Sequence, residues 1–480
     1  MVSESKVGPS IVVSPQISHY SEFDTGEHDV FVVTEEGPDF RGVSTLGAAV
    51  LIAKSQMGLG ILGIPQTFQS LGFVPGLISL VALCALSTWT GFIVGKFRLR
   101  HPSVYSIGDA AEMMFGTMGR EIMGGAFWLF YTLCYGASLL TFSISLNTLS
   151  DHSRCTMAWI GIGAAISLVL GLGIRTMKVM SWCGYVALGC IMISVWIVAI
   201  ACLAQKNPAA APKGLPIDKG IVAASSNLPF SSIASATGTQ VLSLCGTASF
   251  FTIHSEMRDQ KNYVKSLLLG QGFVCFNYIV ISCFIYAKVG NYVTSPALGS
   301  AGSLFKKIGY GIAIPGLLFS CFFQAHLAGK YSFVRILRDT THLQLNTVIH
   351  WVTWTILMVV VICVGFVVAG GIPFFDDLLA LIGALIGTSF TLIIPGFLAL
   401  YDLGRYVPKE GDGLLQWIVQ SKKKWGLNNR NTITASVAIF SIVFGSYIAV
   451  SGIYGSIKSI INGYRNGLVP SAFSCADNSG

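Results

Sequence analysis

Charge is what this chain has least of. Only 11% of its 480 residues are Asp, Glu, Lys or Arg, against 53% hydrophobic, and mean hydropathy is +0.67. That composition excludes a soluble domain, and equally a soluble domain with one anchor. Clustered charge is missing too. The net charge of +8 is spread over the loops between apolar segments, so there is no basic face for nucleic acid. The 12 cysteines form no Cys-x-x-Cys pair and no zinc spacing. Ten of them lie in apolar segments, where a thiol is a small buried hydrophobe. Only Cys155 and Cys475 lie outside. The eight histidines show neither metal spacing nor a nucleophile–base pair, so neither an enzyme nor a cofactor is expected. No repeated polar filter suggests a channel, and no Asn-x-Ser/Thr sequon occurs. No cleavable signal peptide is expected, because the first apolar run begins only near Val43.

What remains is a set of long apolar runs. Eleven are long enough to cross a bilayer: 44–70, 73–97, 121–149, 156–174, 179–203, 236–257, 265–288, 308–332, 347–370, 374–401 and 432–457. The loops at 98–120 and 204–235 read as extramembranous. The chain is thus an all-α polytopic membrane protein, with a transmembrane domain at 43–457. Residues 1–42 hold eight acidic residues against Lys6 and Arg41 and read as a disordered tail. Residues 458–480 form a second tail. With the N-terminus in the cytoplasm, inside segments carry 20 Lys and Arg and outside segments nine. That split places the 458–480 tail outside. Cys155 and Cys475 then share the non-cytoplasmic side, and free thiols are expected there over a disulfide.

Lys54 stands about ten residues into the first run, roughly 15 Å deep in a ~30 Å hydrocarbon layer. Placing a lysine there costs about 2.5–3.5 kcal/mol, so it faces protein or water. Gly58, Gly60, Gly63 and Pro65 weaken the helix just beyond it. Span 6 has its own weak point at Gly246, Thr247 and Ser249, and ends on Glu256 and Arg258. Spans 1 and 6 head two five-helix halves, and matching breaks suggest an inverted repeat with a site at its interface. An unwound turn frees backbone groups, and opposed half-helix ends suit a carboxylate and an ammonium together. A zwitterionic amino acid fits both.

At these helices the chain resembles the amino acid/auxin permease family of the amino acid–polyamine–organocation superfamily, most closely its fungal neutral amino acid permeases. The stretches that carry the resemblance are Lys54–Pro65, Ala248–Arg258 and Gln324–Arg338, with a weaker one at Leu381–Thr388. The resemblance implies a LeuT-like fold, ten helices in a 5+5 inverted repeat plus an eleventh. It implies substrate held at broken spans 1 and 6, and proton symport of amino acids by alternating access. Many family members carry Gly-His at the span 6 break. Here the pair is Gly246-Thr247, which cannot titrate.

On this reading Gly58, Leu59 and Gly60, with Gln56 beside them, offer backbone donors to the substrate carboxylate. Cys245, Gly246, Thr247 and Ser249 offer carbonyls or hydroxyls to its ammonium. Phe250 either gates the pocket or packs. Tyr131 and Tyr135 share a face of span 3 and line the path. Three groups are candidates for coupling. Lys54 either replaces the sodium of sodium-coupled relatives and exchanges a proton, or is a structural lysine holding span 1 against span 8; both argue against sodium. His326 takes a proton or packs. Glu256 pairs with Arg258 in a gate, accepts a proton, or is a solvated helix end, the last being the default. Asp376 and Asp377 read as a solvated surface pair. The function expected is proton-coupled symport of neutral amino acids by a monomer in the lipid bilayer, of the plasma membrane rather than the vacuolar one. A sensor on the same fold, or a carrier of auxin-like acids or GABA, stays open. A polyamine carrier is disfavoured, because no carboxylate stands at either break.

Overall fold

The computed structural model describes residues 40–478 except 59, 213–216, 225–228, 339, 344, 373–374, 407–412, 414 and 466–470. Most of the tail expected at 1–42 therefore lies outside the described residues. The elements are helices α1 (Thr45–Gln56), α2 (Gly60–Leu71), α3 (Phe73–Arg100), α4 (Ile107–Ser150), α5 (Thr156–Gly173), α6 (Met177–Ala204), α7 (Phe230–Ser243), α8 (Thr247–Ser255), α9 (Tyr263–Val289), α10 (Ser303–Leu337), α11 (Val348–Gly371), α12 (Phe375–Ile382), α13 (Ile394–Gly404), α14 (Gln416–Trp425) and α15 (Asn429–Arg465). Among the described residues the β-structure is one isolated bridge, Val43 to Met257.

Among the described residues nine helical segments are each long and apolar enough to cross a membrane, and α1 with α2 forms a tenth crossing bent by 44°. The apolar run expected as span 6 is divided between α7 and α8, each too short to cross alone. They lie against α2 and α1 respectively. Val43 at the head of α1 pairs with Glu256 and Arg258 at the foot of α8, so the two broken spans run antiparallel. Span 10 runs through α12, two π-helical stretches (Gly383–Gly387 and Ser389–Ile393) and α13. The bundle buries several ionisable groups in an otherwise apolar interior and exposes apolar side chains on its surface. Lys54, Glu256, Lys330 and His326 are buried, while Trp182, Val169 and Val450 are more than two-thirds exposed on its rim.

Local chemistry sets the helix starts. The Ser44 hydroxyl accepts from the Gly47 N–H at 3.0 Å, and Thr347 caps His350 in the same way. Ser106 and Asp109 form a reciprocal capping box that opens α4. The segment at 98–120, expected to be a loop, is therefore largely helical. It is set off from span 3 by Gly116, whose φ of 68° and ψ of −164° only glycine adopts without strain.

We call the end of the bundle where α1 begins the near end, and the other the far end. At the near end Arg338 pairs with Asp109 at 2.9 Å, Arg335 with Glu121, and Arg100 with Asp402. Phe40, expected within a disordered tail, is packed there beneath Lys330. At the far end Cys155 and Cys475 form a disulfide, which overturns the expectation of free thiols. The reason is the path of the chain. After α15, residues 471–478 fold back over the ends of spans 3, 4 and 9. Phe473 N–H donates to Gly370 at 2.8 Å, and Asn478 bonds both Asn147 and Ser143. Asp376 and Asp377 are half-buried rather than solvated, with Asp376 accepting from the Ser295 hydroxyl.

Candidate functional site

The break in span 1 faces span 8. A Cβ on Gly58 would lie 2.6 Å from Ser320 Oγ and 3.3 Å from Lys54 Nζ, so the closeness of that approach requires glycine. Lys54 donates to Ser320 Oγ at 2.6 Å, and Ser320 donates in turn to the Gly316 carbonyl at 3.0 Å. The Phe319 ring lies 5.7 Å below the ammonium. Among the described residues no carboxylate pairs with Lys54, which is 2% exposed. The Lys54 amine therefore sits between the broken helix and span 8, with the Ser320 hydroxyl as its hydrogen-bond partner.

Freed carbonyls are capped from span 7. Tyr278 Oη lies 2.8 Å from the Gln56 carbonyl and 2.9 Å from that of Ser243, one hydroxyl shared by both broken spans. Ser243 Oγ also reaches the Gly60 carbonyl at 3.3 Å. Gln56 turns its amide to Gln271 at 2.8 Å, and Gln271 goes on to Ser87 of span 2. Gln56 thus faces spans 2 and 7 rather than span 8. Leu59 lies outside the described residues.

At the break in span 6 the Gly246 carbonyl is taken up by Ser249, through its N–H at 2.9 Å and its hydroxyl at 2.8 Å. The Cys245 thiol donates to the Gly387 carbonyl of span 10 at 3.4 Å. Thr247 and Tyr131 bring buried hydroxyls to the same place, Tyr131 beside Ser249 and Cys245. Phe250 points the other way, against Gly91 of span 2 and Gly246 behind it, which is a packing position. Tyr135 does not share the surroundings of Tyr131. It packs on Gly365 of span 9 and lies beside Ser167 of span 4.

Glu256 is the clearest correction. It is fully buried, not a solvated helix end, and its partner is not Arg258. Lys330 of span 8 meets it at 2.5 Å, and the Met177 N–H of span 5 donates to its other oxygen at 3.2 Å. Lys330 also lies over the Phe40 ring, 4.6 Å from its centroid. Spans 5, 6 and 8 and the segment before span 1 close on this pair. His326 stands apart from both breaks. It meets Trp354 of span 9 edge to face at 5.3 Å and lies beside the backbone of Ile174.

Sequence reasoning assigned no site role to Tyr278, Lys330 or span 10. Lys330 had a signal, a second cation in an apolar run four residues after His326. Tyr278 had none, since one tyrosine in span 7 reads like any other.

Comparison with known proteins fits this architecture. Residues 41–406 match the family described as transmembrane amino acid transporter protein. A transmembrane transporter of Gibberella moniliformis is 32% identical over 96% of this chain and 93% of its own length. The N amino acid transport system protein of Neurospora crassa is 28% identical over 89% of this chain and 87% of its own. Among solved structures, the nucleobase-cation-symport-1 family transporter Mhp1 in a closed conformation superposes with a TM-score of 0.52 at 14% identity, covering 93% of this chain and 99% of that one. That likeness bears on the fold alone, the LeuT-like one the sequence led us to expect.

Proposed function

The chain belongs to the transmembrane amino acid transporter protein family, and on that premise we propose that it carries neutral amino acids together with protons by alternating access. It is a multi-pass membrane protein of a transporter family. The finer reading rests on one observation above the others, the buried Lys54 ammonium on Ser320 Oγ at the break of span 1. A fixed cation there leaves no need for a sodium ion between spans 1 and 8. A buried amine that keeps only a hydroxyl partner is also the kind of group that exchanges a proton when its surroundings change. The breaks at Gly58–Gly60 and Cys245–Ser249 hold the two ends of the amino acid. Tyr131 lines the site, and Phe250, Tyr135 and Gln56 support it from behind.

The Glu256–Lys330 pair acts as the inner gate. Both charges are buried and tie span 6 to span 8, so a path to the near end requires that they part. The near end is cytoplasmic, the far end with its disulfide lies outside, and the protein works as a monomer in the plasma membrane. The test is uptake of labelled neutral amino acids into sodium-free proteoliposomes, with and without an imposed inward proton gradient. Accumulation only with the gradient is expected. Accumulation that needs sodium would overturn the role given to Lys54.

A further inference from the structure

Between spans 10 and 11 the chain forms α14, a ten-residue helix at the near end that takes no part in the site at the breaks. One of its faces is fixed to the bundle. Trp417 and Ser421, one turn apart, are buried. The Trp417 indole donates to the Met114 carbonyl at 2.9 Å, and the Ser421 hydroxyl donates to that of Leu400 at 2.7 Å. Lys424 donates to the Gly404 carbonyl at 2.8 Å, and the Trp425 indole to Ser421 Oγ at 2.9 Å. Leu400 and Gly404 lie at the end of α13, where span 10 leaves the apolar layer. The helix α14 is therefore level with the end of a span, the depth at which tryptophans gather beside lipid headgroups. Span 11 follows at once and ties the other end. Asn431 donates to the Lys424 carbonyl and Thr432 to that of Trp425, both at 3.0 Å.

The outer face of α14 is of another kind. Lys422 and Lys423 stand three and four residues after Val419, on one side of the helix, and all three are exposed. Leu427, in the turn to α15, is 70% exposed. Beyond it α15 turns Ile433, Phe440 and Val443 outward, as a membrane span does toward lipid. Residues 405–431 hold six Lys and Arg against Glu410 and Asp412, and no acidic residue occurs from 413 to 431. Elsewhere at the near end Arg100, Arg335 and Arg338 each meet a carboxylate. Among the described residues no carboxylate is ion-paired with Lys422 or Lys423. Orienting the chain by positive charge requires only that such lysines lie on one side of the membrane. It does not require them to flank an exposed valine on a helix fixed at headgroup depth.

We propose that the outer face of α14 binds the headgroups of anionic phospholipids in the near-end leaflet. Lys422 and Lys423 meet the negative headgroup, while Val419 and Leu427 reach toward the acyl chains. A basic cluster directly beyond a span gains affinity from each lysine near the surface, and salt weakens it. The surface depends on the membrane topology and not on what the protein carries.

The test titrates the purified full-length protein, in neutral detergent, with fluorescent phosphatidylserine or phosphatidylcholine. Phosphatidylserine is expected to bind about tenfold more tightly or better, with a preference that shrinks as sodium chloride rises. Lys422→Gln/Lys423→Gln changes two exposed side chains and should weaken phosphatidylserine binding about tenfold, leaving phosphatidylcholine unaffected. Lys458→Gln, at the far end, should change neither. Exchanging chloride for inorganic phosphate at constant ionic strength should leave phosphatidylserine bound. Equal affinity for the two lipids would overturn the proposal. So would unchanged phosphatidylserine binding in the double variant, or an equal loss in Lys458→Gln. Displacement by inorganic phosphate would overturn it in favour of a site for a free anion.

Discussion

Tyr278 holds one hydroxyl between the Gln56 and Ser243 carbonyls, so a single atom caps both broken spans. Tyr278→Phe keeps the ring and exposes both carbonyls to an apolar interior. Thermal unfolding in detergent should show a loss of about 1–3 kcal/mol. An unchanged melting temperature would mean that water or a neighbour caps them equally well. Glu256 and Lys330 carry larger stakes. Removing one charge of a buried pair costs about 3–5 kcal/mol, because the other stays desolvated. Glu256→Gln should therefore lower stability by about that amount, and the Glu256→Gln/Lys330→Met double variant should recover part of it. A double variant no better than the sum of the singles would show that the two charges are not coupled. If the pair is the inner gate, Glu256→Gln should also raise labelling of cysteines introduced along span 8 from the near end.

At the scale of elements, the breaks were legible where glycine, proline and charge coincided in sequence. Lys54, Gly58, Gly60 and Pro65 mark span 1, and Gly246 with Thr247 marks span 6. What the breaks touch was not legible. Hydropathy records that a residue lies in the membrane but not which way it faces, and so Phe250 and Tyr135, both reasonable lining residues, turn out to pack on glycines of spans 2 and 9. The solvated reading of Glu256 failed for a related reason, since its partner lies 74 residues away on another helix. Span 10 offered only a weak glycine pattern, and π-helical turns leave no composition signature. The Gly116 kink was hidden as well, inside a segment polar enough to pass for a loop. Gly116→Ala forces a Cβ into that backbone and should cost about 1–3 kcal/mol in thermal unfolding. No loss would mean that the kink relaxes into continuous helix.

Across the whole molecule, the strap at the far end joins parts that the sequence separates widely. Cys155 begins span 4, Cys475 follows span 11, and the two stand 320 positions apart in the sequence. Span 11 packs on α7 and on span 10, next to the break in span 6. The disulfide thus links the helices that flank the candidate site to the far ends of spans 3, 4 and 9. A cross-link closing so long a loop is worth about 2–4 kcal/mol, so Cys155→Ser should lower the unfolding midpoint and make residues 471–478 cleavable by protease from that side. Resistance equal to that of the unsubstituted protein would show that the hydrogen bonds of Asn478 and Phe473 hold the strap alone. On the alternating access proposed above, the motion takes place beneath a tied far end, with the buried Lys54 and the Glu256–Lys330 pair proposed as the places where the near end parts. The central claim is that Lys54 couples that motion to protons. The most direct measurement loads sodium-free proteoliposomes with a pH-sensitive dye and adds a transported neutral amino acid outside. The account predicts internal acidification with the unsubstituted protein, and none with Lys54→Ala even where that variant still exchanges labelled amino acid. Acidification that persists in Lys54→Ala, or that never occurs in the unsubstituted protein, would contradict it.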